Sequence, residues 1–236
     1  MSAKDFETLI KEKGCKAHER WYPTAIDTYK NSFVLDTSIE NTRALKSNLA
    51  YSAQYLEFLE KEFSELNPPS VIYSMLVKTY VITGMSMLEG IFSNILKSRG
   101  WWKVSDLESC GTTQSNETNF SGDKYIVVTE LLRKVAPYQL QMNLDEMIKT
   151  LSRHHEALQV DHLVYPALKR LKELRNRVHL QKNESETDHD YNAFNFTVKK
   201  EMGAILFEIF SSPMITRLPN NFDFLKINTQ ETYVCD

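Results

Sequence analysis

Residues 70–98 read SVIYSMLVKTYVITGMSMLEGIFSNILKS and form the most apolar region of the chain. Apolar residues occupy most faces of a helical projection of this segment, which predicts a helix at the centre of a core. The sequence Asn-Pro-Pro at 67–69 ends the preceding helix and starts this one. Lys78 and Glu89 interrupt the apolar run. No clean span of about 20 apolar residues remains, so we predict a buried helix and no transmembrane segment.

Two glycines inside this segment indicate close helix packing. Gly84 and Gly90 lower helix propensity, and a neighbouring helix that approaches closely is the expected reason for them. Outward from this segment, apolar residues at spacings of three and four predict five more helices, near residues 38–66, 123–135, 143–158, 165–181 and 195–210. Glycine and proline are scarce, at seven each. We therefore expect an all-α fold.

The chain divides into three regions. We predict an N-terminal extension at residues 1–37, a helical domain at 38–212 and a C-terminal tail at 213–236, which has weak strand character. Residues 103–122, KVSDLESCGTTQSNETNFSG, are polar and lack helical periodicity. Such a stretch is typical of a long surface loop inserted between helices.

Composition excludes several classes of protein. A net charge of −3 is not that of a protein whose whole surface binds nucleic acid or a membrane, so an RNA site would have to be a local basic patch. Three scattered cysteines do not form a disulfide framework. The first sixteen residues carry charges where a signal peptide has its apolar run. We expect a cytoplasmic protein without membrane association.

One arginine and one histidine stand out near the end of the predicted helix at 165–181. In a helical projection Arg175 and His179 both lie on the same flank of the apolar stripe, with Leu168 between them. Residues four apart on a helix are neighbours, with Cβ atoms roughly 6 Å apart. An arginine beside a core needs an acceptor, a partner subunit or an anionic ligand, since an unpaired buried charge is costly.

Basic residues concentrate around this pair. Within residues 169–179 five cations accompany one acid, Glu173; the cations are Lys169, Arg170, Lys172, Arg175 and Arg177. Arginine suits bidentate phosphate contacts, and histidine exchanges protons near neutral pH. The set predicts RNA binding by the basic residues and metal-free phosphodiester cleavage at His179 and Arg175. Cations also oppose the helix dipole in a last turn, which is an alternative reason for their presence.

The segment LKELRNRVHLQ, residues 171–181, resembles the signature of the HEPN superfamily, in which an arginine, a polar residue and a histidine lie near the end of a late helix. The stretch at 188–200, DHDYNAFNFTVKK, resembles the one that leads into that family's last helix. The resemblance implies a helical bundle with long core helices and a metal-independent endoribonuclease of prokaryotic toxin–antitoxin or abortive-infection defence. His179 would be the general acid or base, Arg175 would stabilise the phosphorane, and Asn176 would orient the site. The resemblance to the HEPN superfamily further implies a homodimer with a composite site, RNA as substrate, an antitoxin or other protein partner, and no cofactor or metal.

Two other functions stay open on the same residues. Three residues separate Arg175 from His179, whereas the family's catalytic pattern usually has four to six, so a non-catalytic HEPN-like module for dimerisation or partner binding is the alternative. The third reading is an unrelated helical scaffold in which both residues are incidental. The histidines near residues 154–162 fit a solvated helix end better than a metal site, and the tryptophans at 101–102 fit a hydrophobic cap.

Overall fold

A computed structural model describes residues 20–178 and 189–226. These residues contain seven α-helices, four β-strands and two 3₁₀ segments. In chain order they are α1 Ile26–Ser32, α2 Thr42–Glu65, α3 Ser70–Ser98, β1 Val104–Gln114, β2 Thr118–Phe120, β3 Asp123–Tyr125, β4 Val128–Gln139, α4 Leu144–Arg153, a 3₁₀ turn His155–Ala157, α5 Val164–Asn176, α6 Asp190–Ala193, α7 Phe196–Ser211 and a 3₁₀ segment Pro219–Leu225.

The long helix α3 is the centre of the helical body, as its sequence predicts. It contacts α2, α4, α5, α6 and α7, and it contributes the largest share of the buried side chains. Its length and composition would allow it to cross a membrane, but 56% of its most apolar 18-residue window is buried inside the protein. The helix is therefore consistent with the core of a soluble protein, and its exposed apolar residues, Val71, Ile72 and Met75, lie near its start.

Close packing at both α3 glycines is confirmed. A Cβ added at Gly84 would lie 2.5 Å from Met202 Cε and 2.9 Å from Leu206 Cδ1, both on α7. One added at Gly90 would lie 2.7 Å from Leu45 Cδ1 on α2. The two glycines thus let two helices approach α3 more closely than any larger residue would permit.

The prediction of an all-α fold is wrong. Of the residues that the structure describes, 57% are helical and 16% are in strands, and the strands form two antiparallel two-stranded sheets. Strand β1 pairs with β4 from Val104 opposite Gln139 to Gln114 opposite Val128, and β2 pairs with β3 at the tip. The residues expected to form a polar loop at 103–122 and a helix at 123–135 are instead the two sides of one long hairpin.

Sequence periodicity misled the prediction for a physical reason. In VTELLRKVAPYQ the apolar residues at 128, 131, 132 and 135 fit a helical spacing, while threonine and valine are also frequent in strands. Pairing with residues 104–114 supplies the ladder of hydrogen bonds that decides between the two conformations. Two register shifts, between Ser105 and Leu107 and between Ser109 and Gly111, accommodate extra residues as bulges.

Residues near both limits of the described chain also join the helical body. Tyr29 of α1 and Phe33, which follows α1, are buried in the same core as residues of α3 and α7, and Phe222 of the last 3₁₀ segment packs against both rings. That segment occupies residues where the sequence suggested weak strand character. Helix α4 ends at Arg153, earlier than the expected boundary at 158, and a 3₁₀ turn follows it.

Candidate functional site

Helix α5 carries the basic residues of the predicted site. It has Pro166 in its first turn, as expected, and it buries Leu168 and Leu171 fully. The helix ends at Asn176, not near residue 181: the backbone N–H of Arg177 bonds the carbonyl of Leu174, and the helical dihedrals stop there. The four-residue helical spacing invoked for Arg175 and His179 therefore loses its basis, since the helix ends between them.

His179 itself lies outside the described residues. The structure thus neither brings it to Arg175 nor separates it from Arg175. Asn176 is half-buried at the last position of α5.

Arg175 has an acceptor within its own chain. Its Nη2 donates to Oε2 of Glu89 at 2.7 Å, across the contact between α5 and α3. About a third of each side chain is exposed, 32% for Arg175 and 31% for Glu89. The sequence left open whether Arg175 contacts an acceptor in its own chain, a partner subunit or an anionic ligand. The structure shows the first of these, a carboxylate of the neighbouring core helix.

Arg177 belongs to a network centred on Asp190. Oδ1 of Asp190 accepts from Arg177 Nε at 3.3 Å, and Oδ2 accepts from Lys78 Nζ at 2.6 Å. Lys78 is a core residue of α3 with 8% of its side chain exposed, and its ammonium lies 5.8 Å from the ring centre of Phe194. Asp190 thus binds α3 to the end of α5 through two cations.

Two further cations of α5 are also paired. Arg170 forms an ion pair with Glu201 of α7. Lys172 donates to Asp145 of α4 at 2.9 Å and contacts Glu173 at 2.7 Å, with only 13% of its side chain exposed. Hydrogen bonds from Lys149 and Lys172 lower the pKa of Asp145 to about 2, so this carboxylate stays charged at neutral pH.

The predicted basic surface is therefore largely compensated by acids. Four of its five cations contact carboxylates, and only Lys169, which is exposed, has no ion pair among residues 20–178 and 189–226. Sequence reasoning missed the acids because they lie on other helices. One signal was present, since Glu89 is the only acid in residues 70–98. Compensation of this kind weakens the attraction of a surface for phosphate.

The two other candidate clusters have structural partners. The ring of Trp101 stacks on His154 at 4.0 Å, and Trp102 Nε1 donates to the carbonyl of Leu140 at 2.8 Å. The rings of His155 and His162 are 4.5 Å apart. Over the described parts of the chain, no group of three or more His, Cys, Asp or Glu side chains is placed to hold a metal ion.

The hairpin presents a different kind of surface. We call residues 104–139 the β-arm. Trp102 anchors its base, while its strands pair mainly with each other. Ten of its large apolar residues are 39–71% exposed: Val104, Leu107, Phe120, Tyr125, Ile126, Val127, Val128, Leu131, Leu132 and Tyr138. Apolar side chains gathered on one projecting element mark an interaction surface more often than a solvated one.

Comparison with known proteins leaves the family open. The chain matches no protein-family model, no curated protein and no solved structure. The resemblance of residues 171–181 to the HEPN signature stays a prediction.

Proposed function

We propose that this chain is a non-catalytic protein-binding module, HEPN-like in its motif, whose binding surface is the β-arm. The observation that carries the proposal is the set of ten exposed apolar residues on one hairpin. A two-stranded hairpin in water is marginally stable by itself, and an apolar surface of this size is normally covered by a partner.

The ion pairs of α5 support a structural role for the motif. Arg175 and Lys172 join α5 to acids on other helices, and Arg177, in the turn that follows α5, contacts Asp190 of α6. Residues that stabilise a fold make contacts of this kind. A cation that binds a phosphodiester instead keeps its charge available to the ligand. Within this proposal, Arg175 positions α5 against α3.

Site-specific photocrosslinking in living cells tests the binding role. A benzophenone amino acid replaces Phe120, which is 71% exposed at the arm tip, and a matched variant carries it at Tyr22, which is 64% exposed outside the arm. We expect protein adducts from position 120 well above those from position 22. Equal yields at both positions would contradict the proposal.

A metal-independent endoribonuclease is the second proposal. It is favoured by the position of Arg175, which is about one-third exposed at the end of α5, four residues before His179. A guanidinium so placed reaches solvent and could exchange Glu89 for a phosphate.

Incubation of the purified protein with labelled RNA in EDTA separates the two proposals. The nuclease requires cleavage by the wild type, a loss of about 10²–10⁴-fold in rate for His179→Ala, and an unchanged fold. The binding module requires intact RNA with every variant. It also predicts that Arg175→Ala lowers the free energy of unfolding by up to about 1 kcal/mol, the usual range for a partly exposed ion pair.

We further propose that the protein acts in the cytoplasm. The observation that supports this placement is Cys110, an exposed free thiol, which is typical of a reducing compartment.

A further inference from the structure

The free edge of strand β4 determines which backbone groups remain for a partner. The carbonyl of Val127 accepts from the N–H of Ser115 at 2.9 Å, so Val127 faces β1. Residues in an antiparallel pair alternate between facing the partner strand and facing away. The register shift at Leu131 and Leu132 does not interrupt this alternation on β4, because the extra residue there lies on β1. Val128, Glu130, Leu132 and Lys134 therefore direct their N–H and C=O groups away from β1. An unpaired row of this kind is a template for a further strand.

Two charges on this edge have no ion-pair partner among the described residues. The two other cations of the β-arm are paired within it, Arg133 with Glu108 at 2.6 Å and Lys124 with Glu117 at 2.9 Å. Glu130 and Lys134 are four residues apart on an extended strand, roughly 14 Å, and cannot reach each other. If two copies are related by a two-fold axis, however, Glu130 of one copy can face Lys134 of the other.

We propose that the β-arm binds the β-arm of a second copy of this chain, β4 against β4 in antiparallel orientation, with the two-fold axis at Leu132. This inference rests on the proposed binding role and names its partner. In this register Leu132 faces the partner's Leu132, and Glu130 faces the partner's Lys134. The two chains together then form a four-stranded sheet.

Neighbouring registers fit less well. An axis moved by one residue, to 131 or 133, leaves both Glu130 and Lys134 opposite apolar residues. An axis moved by two residues, to 130 or 134, brings Glu130 or Lys134 opposite its own copy, and like charges directly opposite destabilise a sheet. The axis at Leu132 alone among these pairs both charges with their opposites.

Four of the ten exposed apolar residues lie on β4 itself, namely Val128, Leu131, Leu132 and Tyr138, and are available to such a dimer. In edge-to-edge pairing the main-chain hydrogen bonds supply much of the contact, so the interface is smaller than the roughly 800 Å² per partner of a standard one. The interface is isologous, so it closes at two copies and leaves no β4 edge free for further addition.

A charge-reversal cycle on the full chain tests the register. Sedimentation equilibrium measures the dimer dissociation constant for the wild type, Glu130→Lys, Lys134→Glu and the double reversal. Each single reversal places two pairs of like charges opposite one another, and we expect the dissociation constant to rise by about tenfold or more. The double reversal restores two opposite-charge pairs and should return it to within about threefold of the wild type. Lys169→Glu, a reversal at an exposed site on α5, is the control and should change nothing.

Hydrogen exchange supplies a second readout that does not depend on any variant. The amides of residues 130, 132 and 134 should be protected in the dimer and unprotected on dilution to monomer. A wild type that stays monomeric up to about 100 µM overturns the inference, and so does a dimer indifferent to both single reversals. A benzophenone amino acid at position 132, in place of the 51% exposed Leu132, that crosslinks only to a different protein would also overturn it while leaving the binding role of the β-arm intact.

Discussion

Asp190 holds together the contact between α3 and the end of α5, and its removal should be costly. In Asp190→Ala the ammonium of Lys78, only 8% exposed, loses its carboxylate. Breaking a fully buried ion pair by removing one partner costs about 3–5 kcal/mol. Here 24% of the Asp190 side chain is exposed and the Phe194 ring still faces the ammonium, so we expect a loss of about 2 kcal/mol in the free energy of unfolding.

A double-mutant cycle identifies the cause of that loss. Lys78→Met removes the buried charge and keeps most of the side-chain volume, so the single change should cost less than Asp190→Ala. In the double variant no buried ammonium is left without a partner. We expect it to be more stable than Asp190→Ala, with a coupling free energy of about 1–2 kcal/mol.

Urea denaturation followed by circular dichroism measures all four proteins. With a slope of about 1–3 kcal/mol per molar urea, a loss of about 2 kcal/mol moves the midpoint by about 1 M. The reasoning is refuted if the double variant is as unstable as Asp190→Ala. In that event the cost would arise from the start of α6 or from Arg177, and the buried ammonium would not be its source.

Two further predictions concern packing and pH. Gly84→Val should lower the free energy of unfolding by about 2 kcal/mol, because the valine side chain would overlap Met202 and Leu206 of α7. Thermal denaturation measures this loss, and an unchanged melting temperature would contradict the close packing. Asp145→Asn should be less stable than the wild type at pH 7. The Lys149 and Lys172 hydrogen bonds lower the folded-state pKa of Asp145 to about 2, below its unfolded value near 3.9, so its contribution is present above about pH 4 and lost as the pH falls through 2. Urea midpoints of both proteins between pH 7 and pH 2 should therefore converge, and a constant difference would show that the carboxylate charge is not responsible.

Local sequence was sufficient to predict the central helix. Residues 70–98 are apolar on most faces and follow two prolines, and these features act within the segment itself, so the predicted and observed boundaries of α3 coincide. The close approach at Gly84 and Gly90 was likewise predictable, because a glycine within a helix weakens it and needs a compensating contact.

The β-arm could not be predicted in the same way. Its second strand has a spacing compatible with helix or strand, and the choice depends on hydrogen bonds to residues about 14–35 positions earlier in the chain. That its exposed apolar residues belong to one element became visible only when the hairpin was in place. Conformation that depends on pairing is not encoded in either strand alone.

The basic residues of α5 show the same division. Helical geometry alone places Arg175 beside the core stripe. An arginine in that position needs an acceptor, because an unpaired buried charge is costly in any protein. Which acceptor it uses was decided by tertiary structure, because Glu89 is 86 residues away and reaches Arg175 only when α3 and α5 pack together. Because of that packing, most of the basic residues predicted to bind phosphate form ion pairs between helices instead.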